Sequence, residues 1–256
     1  MQEFIHRCDP SDWPQALQAI ELGLNHEQQH QELILTDVKY LLHQNPFGAV
    51  YRPQKGRVTL CPQAVQRAGE YTVPQWLQFE GGLHSIGHAG PNFGYDNETP
   101  RHSVHLYPFE LASHLVTCGE YLQFIQDGGY QNPARWLSEG WSAVQALQWR
   151  APLYWKENNE GQWRIFTLHG EQPLDLNQPV SHISYSEAAA FASWAKARLP
   201  REAELEVAFS ELESGHETTL QQAFGACWQW TCSSYDAYPG FKPFEGAVAE
   251  YNGKFM

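Results

Sequence analysis

The fold of this chain is decided by a stretch near its N-terminus, Glu21-Leu22-Gly23-Leu24-Asn25-His26-Glu27-Gln28-Gln29-His30-Gln31-Glu32-Leu33-Ile34-Leu35. The stretch has helical periodicity and places two histidines four residues apart. At about 100° per residue, His26 and His30 lie roughly 40° apart on one helical face and about 6 Å apart along the axis. Two imidazoles in this arrangement can bind one metal ion. The surrounding Glu and Gln residues are costly to bury without a role, which favours this interpretation over a structural one.

The same residues spell His-Glu-x-x-His, the signature of zinc proteases. A zinc protease needs a third ligand, and no third histidine follows at the spacing of the extended motif. Glu32 lies about 200° around the helix from His30 and is expected to point away from the pair. Asp37 lies on the correct face, but about 10 Å further along the axis. The third ligand must therefore come from another segment, and His6 is the only histidine before the pair.

Composition excludes several classes of protein. The chain has 256 residues and a net charge of −13, from 16 Lys plus Arg and 29 Asp plus Glu. An acidic chain without a basic cluster argues against binding of nucleic acid and of an anionic membrane. No apolar run approaches the roughly 20 residues that span a bilayer, and the N-terminus has no signal-peptide pattern. The five cysteines are scattered and include no Cys-x-x-Cys, which indicates free thiols in a reducing cytoplasm.

Apolar residues at three- and four-residue intervals predict one long helix, with Pro14 in its first turn and its end at about Leu42. Such a helix cannot bury its own apolar stripe and needs two or three partners in a bundle. The few residues before it cannot supply them. We therefore expect residues 1–46 to be the end of a helical domain whose beginning is absent. Residues 47–74, which contain Pro53 and Pro62, are expected to form a linker.

The remaining residues, 75–256, predict an irregular α+β region with few regular elements. Two capping boxes mark helix starts, Thr117-Cys118-Gly119-Glu120 and Ser184-Tyr185-Ser186-Glu187. The first helix is expected to stop at Gly128-Gly129, and the second, which is rich in alanine, to run to Ala197.

Strand pieces are predicted at 104–106, 109–111 and 228–230, and a third helix over 202–209. Proline and glycine are dense in the run Tyr238-Pro239-Gly240-Phe241-Lys242-Pro243. We expect Tyr235, Tyr238 and Phe241 to lie on a surface loop near the substrate pocket rather than in the hydrophobic core, because such loops often carry function.

The later region also contains runs of residues that, together with the histidine helix, mark a known family. These runs are Phe93-Gly94-Tyr95-Asp96-Asn97-Glu98-Thr99-Pro100-Arg101-His102, Asp127-Gly128-Gly129-Tyr130, Ala197-Arg198-Leu199-Pro200, Trp228-Gln229-Trp230-Thr231 and Glu250-Tyr251-Asn252-Gly253-Lys254-Phe255-Met256. Residues 22–37 resemble the histidine motif of the DinB-like bundle in ergothioneine-pathway sulfoxide synthases (hercynine oxygenases). The runs resemble their second domain, of the formylglycine-generating-enzyme or sulfatase-modifying-factor type, a variant of the C-type lectin fold.

The resemblance implies an α+β protein in which the C-terminal part of a DinB-like bundle precedes an irregular C-type-lectin-like domain. It also implies a mononuclear non-haem Fe(II) site with three histidine ligands, which leaves three positions for O₂ and two substrates. His26 and His30 match two of these ligands. Gln29 matches a position near the substrate, with a solvated helix residue as the alternative. Tyr251 is the nearest candidate for a tyrosine that donates a proton beside the iron.

The implied substrates are hercynine (Nα-trimethylhistidine) and a thiol, either cysteine or γ-glutamylcysteine, joined at the imidazole C2 and oxidised to a sulfoxide. Family members have a first histidine on an early bundle helix and continue past the Tyr-Asn-Gly-Lys-Phe loop. We therefore expect this chain to be cut at both ends and to have little or no activity alone. Arg201 stands where relatives often have a helix-capping Thr, a loss of about 1 kcal/mol. Two alternatives stay open: a DinB-type zinc-dependent thiol transferase or hydrolase, and a non-enzymatic lectin-like binding module.

Overall fold

The longest element of the protein is a single helix near the N-terminus. The computed structural model describes residues 7–53, 74–213, 220, 222–244 and 252–256. Helix α1, Trp13–Gln44, has 32 residues and is therefore about 48 Å long. In its first turn, around Pro14, the N–H of Ala16 donates to the backbone carbonyl of Asp12 across 3.0 Å. The predicted long helix is confirmed.

Helix α1 leaves most of its apolar side chains exposed in the described part of the chain. Leu22 is its buried residue, whereas Leu24 is 63% exposed and Leu41 is 68% exposed. A helix gains most of its stability by packing an apolar face, so the described residues leave this requirement of α1 unmet. The surrounding bundle stays a prediction.

Seven short strands follow α1 in the described residues. They are β1 Trp76–Phe79, β2 Gly82–Ile86, β3 His102–Leu106, β4 Phe109–Ala112, β5 Trp155–Glu157, β6 Trp163–Thr167 and β7 Gly170–Pro173. β1 pairs with β4 in antiparallel register, with Trp76 opposite Ala112, and β2 pairs with β3. β5, β6 and β7 form a three-stranded antiparallel sheet in that order. The strand pieces predicted at 104–106 and 109–111 are confirmed.

The strand predicted at 228–230 is wrong. These residues form no regular element, and their neighbourhood is held by individual hydrogen bonds instead. The indole Nε1 of Trp230 donates to the carbonyl of Ile183 across 3.0 Å, and the N–H of Cys232 donates to the carbonyl of Pro200 across 2.8 Å. Alternating tryptophans therefore mark an anchored loop here rather than a strand.

In the described part of the chain, four further helices lie between these strands and after them. They are α2 Cys118–Gln126, α3 Ser138–Leu147, α4 Tyr185–Trp194 and α5 Glu202–Glu213. Both predicted capping boxes are confirmed, because each Ser or Thr hydroxyl accepts from the N3 amide and each Glu accepts from the cap amide. Helix α4 ends at Trp194, before the predicted Ala197, since Lys196 has a left-handed φ of +57°.

Helices α2 and α4 enclose an aromatic core. Tyr121 and Phe124 of α2 are completely buried, and the Tyr121 ring stacks on Phe191 of α4 at a centroid distance of 5.5 Å. The helix ends before the predicted glycine pair, where Gly128 has a left-handed φ of +76°. A Cβ added to Gly129 would lie 2.3 Å from the Phe124 ring, so this position requires glycine. Tyr130 donates to the buried carboxylate of Glu187, and burial raises the pKa of Tyr130 far above its usual value.

The chain divides into two compact units. The first contains the described residues within Met1–Leu41, Ser85–Val104 and Ser234–Met256. The second contains those within Leu42–His84 and His105–Ser233, including the aromatic core. None of the helices found in the described segments combines the length and the apolar character that crossing a membrane requires.

Candidate functional site

The imidazoles of His26 and His30 meet on one face of α1. Their Nε2 atoms are 3.0 Å apart, the ring centroids are 4.4 Å apart, and the ring planes are nearly perpendicular at 87°. His26 is half-buried and His30 is exposed, so the pair opens to the surface of the first compact unit. The predicted side-by-side arrangement is confirmed, and binding of a metal stays a prediction.

The separation of the two nitrogens can be compared with metal geometry. Two nitrogens that each lie about 2.1 Å from one metal ion are about 3.0 Å apart when the angle at the metal is about 90°. A tetrahedral angle at the same bond length requires about 3.4 Å. The observed 3.0 Å is compatible with two adjacent coordination positions of one metal ion. Without a metal, the same distance is a hydrogen bond in which one of the nitrogens carries the proton.

A third ligand is not found in the described part of the chain. Among those residues, no group of three or more His, Cys, Asp or Glu side chains could hold a metal ion. Glu32 is exposed on α1, two residues beyond His30, and its exclusion from the metal ligands stays a prediction. His6 lies outside the described residues.

The two predicted residues for substrate chemistry have different outcomes. Gln29 is half-buried beside His30 on α1, and its contact with substrate stays a prediction. Tyr251 lies outside the described residues, so the structure places no side chain for this candidate proton donor. The following residue, Asn252, belongs to the same compact unit as the histidine pair.

The Pro/Gly-rich loop, residues 234–244, which we call the late loop, also belongs to the unit that contains the histidine pair. Tyr235 is 48% exposed, and Tyr238 and Phe241 are half-buried. The Tyr238 ring packs on the imidazole of His102 at a centroid distance of 4.4 Å. The prediction that these aromatic residues lie on a loop outside the hydrophobic core is confirmed. Their closeness to a substrate pocket stays a prediction.

Side chains from three separate segments form a closed set of hydrogen bonds at this loop. Asn97 donates from Nδ2 to the hydroxyl oxygen of Tyr235 across 3.2 Å, and this hydroxyl donates to Oδ1 of Asn252 across 3.2 Å. Asn252 returns a hydrogen bond from Nδ2 to Oδ1 of Asn97 across 3.1 Å. We call Asn97, Tyr235 and Asn252 the polar ring. The ring ties the late loop to the segment that precedes β3.

Asp96 is attached to the polar ring from inside the protein. Its Oδ1 accepts a second hydrogen bond from Nδ2 of Asn252, across 2.6 Å. The side chain is completely buried, and the described residues offer Oδ2 no hydrogen-bond partner. Burying a carboxylate is costly unless it is hydrogen-bonded, so losing the hydrogen bond from Asn252 would strongly destabilise the buried Asp96 side chain.

Sequence reasoning assigns no role to Asp96, Asn97 or Asn252, although each lies in a run that marks the family. The one sequence feature that could have indicated a role is that these amide and carboxyl side chains all lie in two short runs typical of the family. Asn252 lies 155 positions after Asn97 and 156 positions after Asp96 in the sequence. No local pattern in a single sequence indicates contacts over such a separation.

Free thiols are present in the described residues, as predicted. Cys8, Cys118, Cys227 and Cys232 form no disulfide. Burial raises the pKa of Cys118 to about 12, so this thiol stays protonated and unreactive at neutral pH.

Comparison with known proteins gives a family for most of the chain. The family model described as "Sulfatase-modifying factor enzyme 1-like domain" matches residues 62–252. A hercynine oxygenase of Mycobacterium tuberculosis is 32% identical over 185 residues, covering 58% of this chain and 43% of the relative. A hercynine oxygenase of Mycolicibacterium thermoresistibile is 28% identical over 262 residues, covering 88% of this chain and 56% of the relative. A formylglycine-generating enzyme of Streptomyces coelicolor is 30% identical over 170 residues, covering 61% and 54%.

The chain spans about half the length of the curated relatives it matches. The resemblance to hercynine oxygenases that the sequence motifs predict is confirmed. The matched domain begins at residue 62, after α1, so it includes the polar ring but not the histidine pair. The DinB-like character of the helical part stays a prediction.

Proposed function

Because the chain belongs to the family of the sulfatase-modifying factor enzyme 1-like domain and is similar to hercynine oxygenases, we propose that it takes part in oxidative carbon–sulfur bond formation on hercynine. The second substrate is a thiol, cysteine or γ-glutamylcysteine, and the pathway is ergothioneine biosynthesis. The observation that carries this proposal is the pair of Nε2 atoms 3.0 Å apart on α1. This geometry suits two adjacent positions of a non-haem Fe(II) ion.

The overall reaction balances with one molecule of O₂. The C2–H bond of the imidazole and the S–H bond of the thiol are broken, and a C2–S bond forms. One oxygen atom of O₂ becomes the sulfoxide oxygen and the other leaves as water with the two hydrogens. Bound Fe(II) supplies the activation of O₂ and the oxidation of sulfur.

The residues of α1 prepare the site for that ion. His26 and His30 present their Nε2 atoms from consecutive helical turns, and both atoms must be free of a proton to bind a metal. Gln29 offers an amide donor and acceptor beside the pair for the hercynine molecule. Tyr251 is the proposed proton donor. The substrates are small molecules, and no feature of this acidic chain favours nucleic acid.

The strength of metal binding follows from the number of ligands. Two imidazoles within the described residues leave most coordination positions to water, so Fe(II) is expected to bind weakly and turnover to be slow. A partner molecule that offers a third nitrogen ligand is expected to raise both the affinity for Fe(II) and the rate of turnover. The alternatives of a zinc hydrolase or thiol transferase, and of a non-enzymatic binding module, are not favoured by the similarity to hercynine oxygenases.

Turnover by the metal-loaded chain tests the proposal. The whole chain is loaded anaerobically with Fe(II), supplied with hercynine and either thiol, and exposed to O₂, and the sulfoxide is measured by mass spectrometry. We expect slow, Fe(II)-dependent product formation that free imidazole accelerates by filling the third position. His26→Ala and His30→Ala are expected to abolish it, and Glu160→Ala, an exposed change on another segment, to leave it intact.

Two outcomes would contradict the proposed function. One is product formation that Zn(II) supports as well as Fe(II), because zinc has no redox chemistry. The other is an Fe(II)-loaded chain that neither forms product nor binds hercynine, with or without imidazole.

A further inference from the structure

In the polar ring, one hydrogen bond joins each pair of members. The Tyr235 hydroxyl accepts from Asn97 and donates to Asn252, and the two amide groups are joined directly. Because each atom has a defined partner, the direction of the Asn252 amide determines the direction of the Tyr235 hydroxyl.

Asp96 determines the direction of the Asn252 amide. A carboxylate only accepts hydrogen bonds, so the nitrogen of the amide, and not its oxygen, must face Oδ1 of Asp96. The oxygen of the amide is then left facing the Tyr235 hydroxyl. The buried acceptor oxygen of Asp96 therefore selects one of the two orientations of an amide that lies between it and the exposed loop.

The segment that carries Asp96 is itself well fixed. Residues 96–98 form a 3₁₀ turn in which the backbone carbonyl of Asp96 accepts from both the N–H (3.1 Å) and the hydroxyl (2.8 Å) of Thr99. The Glu98 carboxylate accepts from the N–H of Tyr95 across 2.7 Å. Arg101 donates to the backbone carbonyls of Ser85 and Gly87, each across 3.0 Å. Several hydrogen bonds thus fix the backbone around Asp96, whereas Tyr235 lies on a partly exposed loop.

We propose that Asp96 and Asn252 are positioning residues, which orient the Tyr235 hydroxyl and thereby hold residues 234–241 in the conformation that receives substrate. Asp96 acts through Asn252 and has no contact of its own with Tyr235 among those the structure records. The part of this inference that concerns substrate rests on the proposed function. The part that concerns the loop does not.

Hydrogen–deuterium exchange of the whole chain tests the effect on the loop. Asp96→Ala removes the charged acceptor, and amides in residues 234–241 are expected to exchange about tenfold faster. Asp96→Asn keeps an acceptor oxygen for Asn252 and is expected to restore most of the protection. Asp236→Ala, a matched change at an exposed position of the same loop, is expected to leave exchange unchanged. Unchanged exchange at 234–241 in Asp96→Ala would overturn the proposal.

A double variant tests whether Asp96 acts through the ring. If it does, Tyr235→Phe already releases the loop, and adding Asp96→Ala increases exchange no further. Additive increases would mean a separate route and would refute the role of Asn252. If Asp96→Ala unfolds the chain, exchange at residues 234–241 in Tyr235→Phe alone tests the proposal, because this variant removes the hydroxyl that links the loop to the ring. No faster exchange at 234–241 in that variant would refute the proposal.

Hercynine binding to the Fe(II)-loaded chain tests the link with substrate. Asp96→Ala is expected to raise the Kd for hercynine about tenfold while the bound Fe(II) stays unchanged, and Asp96→Asn is expected to restore the affinity. A released loop with unchanged hercynine affinity would overturn the positioning role. Absence of hercynine binding to the unchanged chain would count against the proposed function instead, and the exchange experiment would still decide the role of the ring.

Discussion

At the scale of single residues, the ion pair of Arg198 and Glu204 gives a structural role to the family run at residues 197–200. The guanidinium of Arg198 donates to both carboxylate oxygens of Glu204, across 2.7 and 2.6 Å. The same carboxylate accepts from the N–H of Arg201 across 2.8 Å, at the start of α5. The Glu204 side chain is 6% exposed, whereas that of Arg198 is 57% exposed. One carboxylate thus joins the Arg-Leu-Pro run to a helix N-terminus.

Glu204→Gln is expected to lower the free energy of unfolding by about 2 kcal/mol at pH 7, since it weakens charge-assisted hydrogen bonds. Burial opposes ionisation of Glu204, but the hydrogen bonds from Arg198 and Arg201 hold its pKa below the usual value. A lowered pKa gives stability that is present above the unfolded-state pKa and is lost as pH falls through the folded-state pKa. Urea unfolding at pH 7 and at a pH below the usual glutamate pKa of about 4.3 is therefore expected to show a difference that is smaller at the lower pH. A difference of the same size at both pH values, or an equal loss in the exposed control Glu160→Gln, would contradict this.

The start of α5 also shows what the sequence misses at this scale. Arg201 has no side-chain acceptor, so the sequence predicts a lost helix cap. In the structure, the hydroxyl of Ser233 accepts from the N–H of Glu202 across 3.0 Å and so satisfies another amide at this helix start. The replacement comes from 31 residues away, beyond the reach of a capping pattern that spans four residues.

At the scale of elements, α1 carries a lysine whose pKa is lowered by burial. Lys39 is half-buried, and burial lowers its pKa to about 8. The unfolded chain then binds more protons than the folded chain between about pH 8 and the usual lysine value of about 10.4, so stability rises with pH in this window. Below the window, the charged lysine costs stability.

Lys39→Met is expected to raise the free energy of unfolding by about 1 kcal/mol at pH 7, after allowance for partial exposure of the amine. Lysine and methionine have similar helix propensities, so the backbone contributes little. Urea unfolding near pH 7 and near about pH 10.5 checks this, with the gain expected to vanish at the higher pH. Lys242→Met, on the exposed late loop, is the control. An undiminished gain at high pH would show that the effect comes from packing alone.

The elements that the sequence predicts correctly have local signals. The long apolar repeat and the two capping boxes are each contained within a few turns, and α1, α2 and α4 appear where these patterns place them. The sheet of β5, β6 and β7 has no such signal, because its stability comes from pairing between strands. The tryptophans at 228–230 predict a strand and instead anchor a loop, because the bond from Trp230 to Ile183 is a long-range contact.

At the scale of the whole molecule, the histidine pair and the polar ring are supported by different kinds of evidence. The sulfatase-modifying factor domain is established by similarity, and it contains Asp96 and the polar ring. The histidine pair lies on a helix outside the matched residues and is supported by its geometry. The motif alone is sufficient to predict the pair, because both ligands lie on one helix. It cannot predict the ring, whose members lie on three segments.

We propose that His26 and His30 hold an Fe(II) ion and that Glu32 does not. Anaerobic titration of the whole chain with Fe(II), followed by the electron paramagnetic resonance of its nitric oxide complex, tests this most directly. We expect His26→Ala and His30→Ala each to weaken binding at least tenfold, because each removes one of two nitrogen ligands. Glu32→Ala is expected to bind as the unchanged chain does. Loss of Fe(II) binding in Glu32→Ala as complete as in His26→Ala would contradict the account.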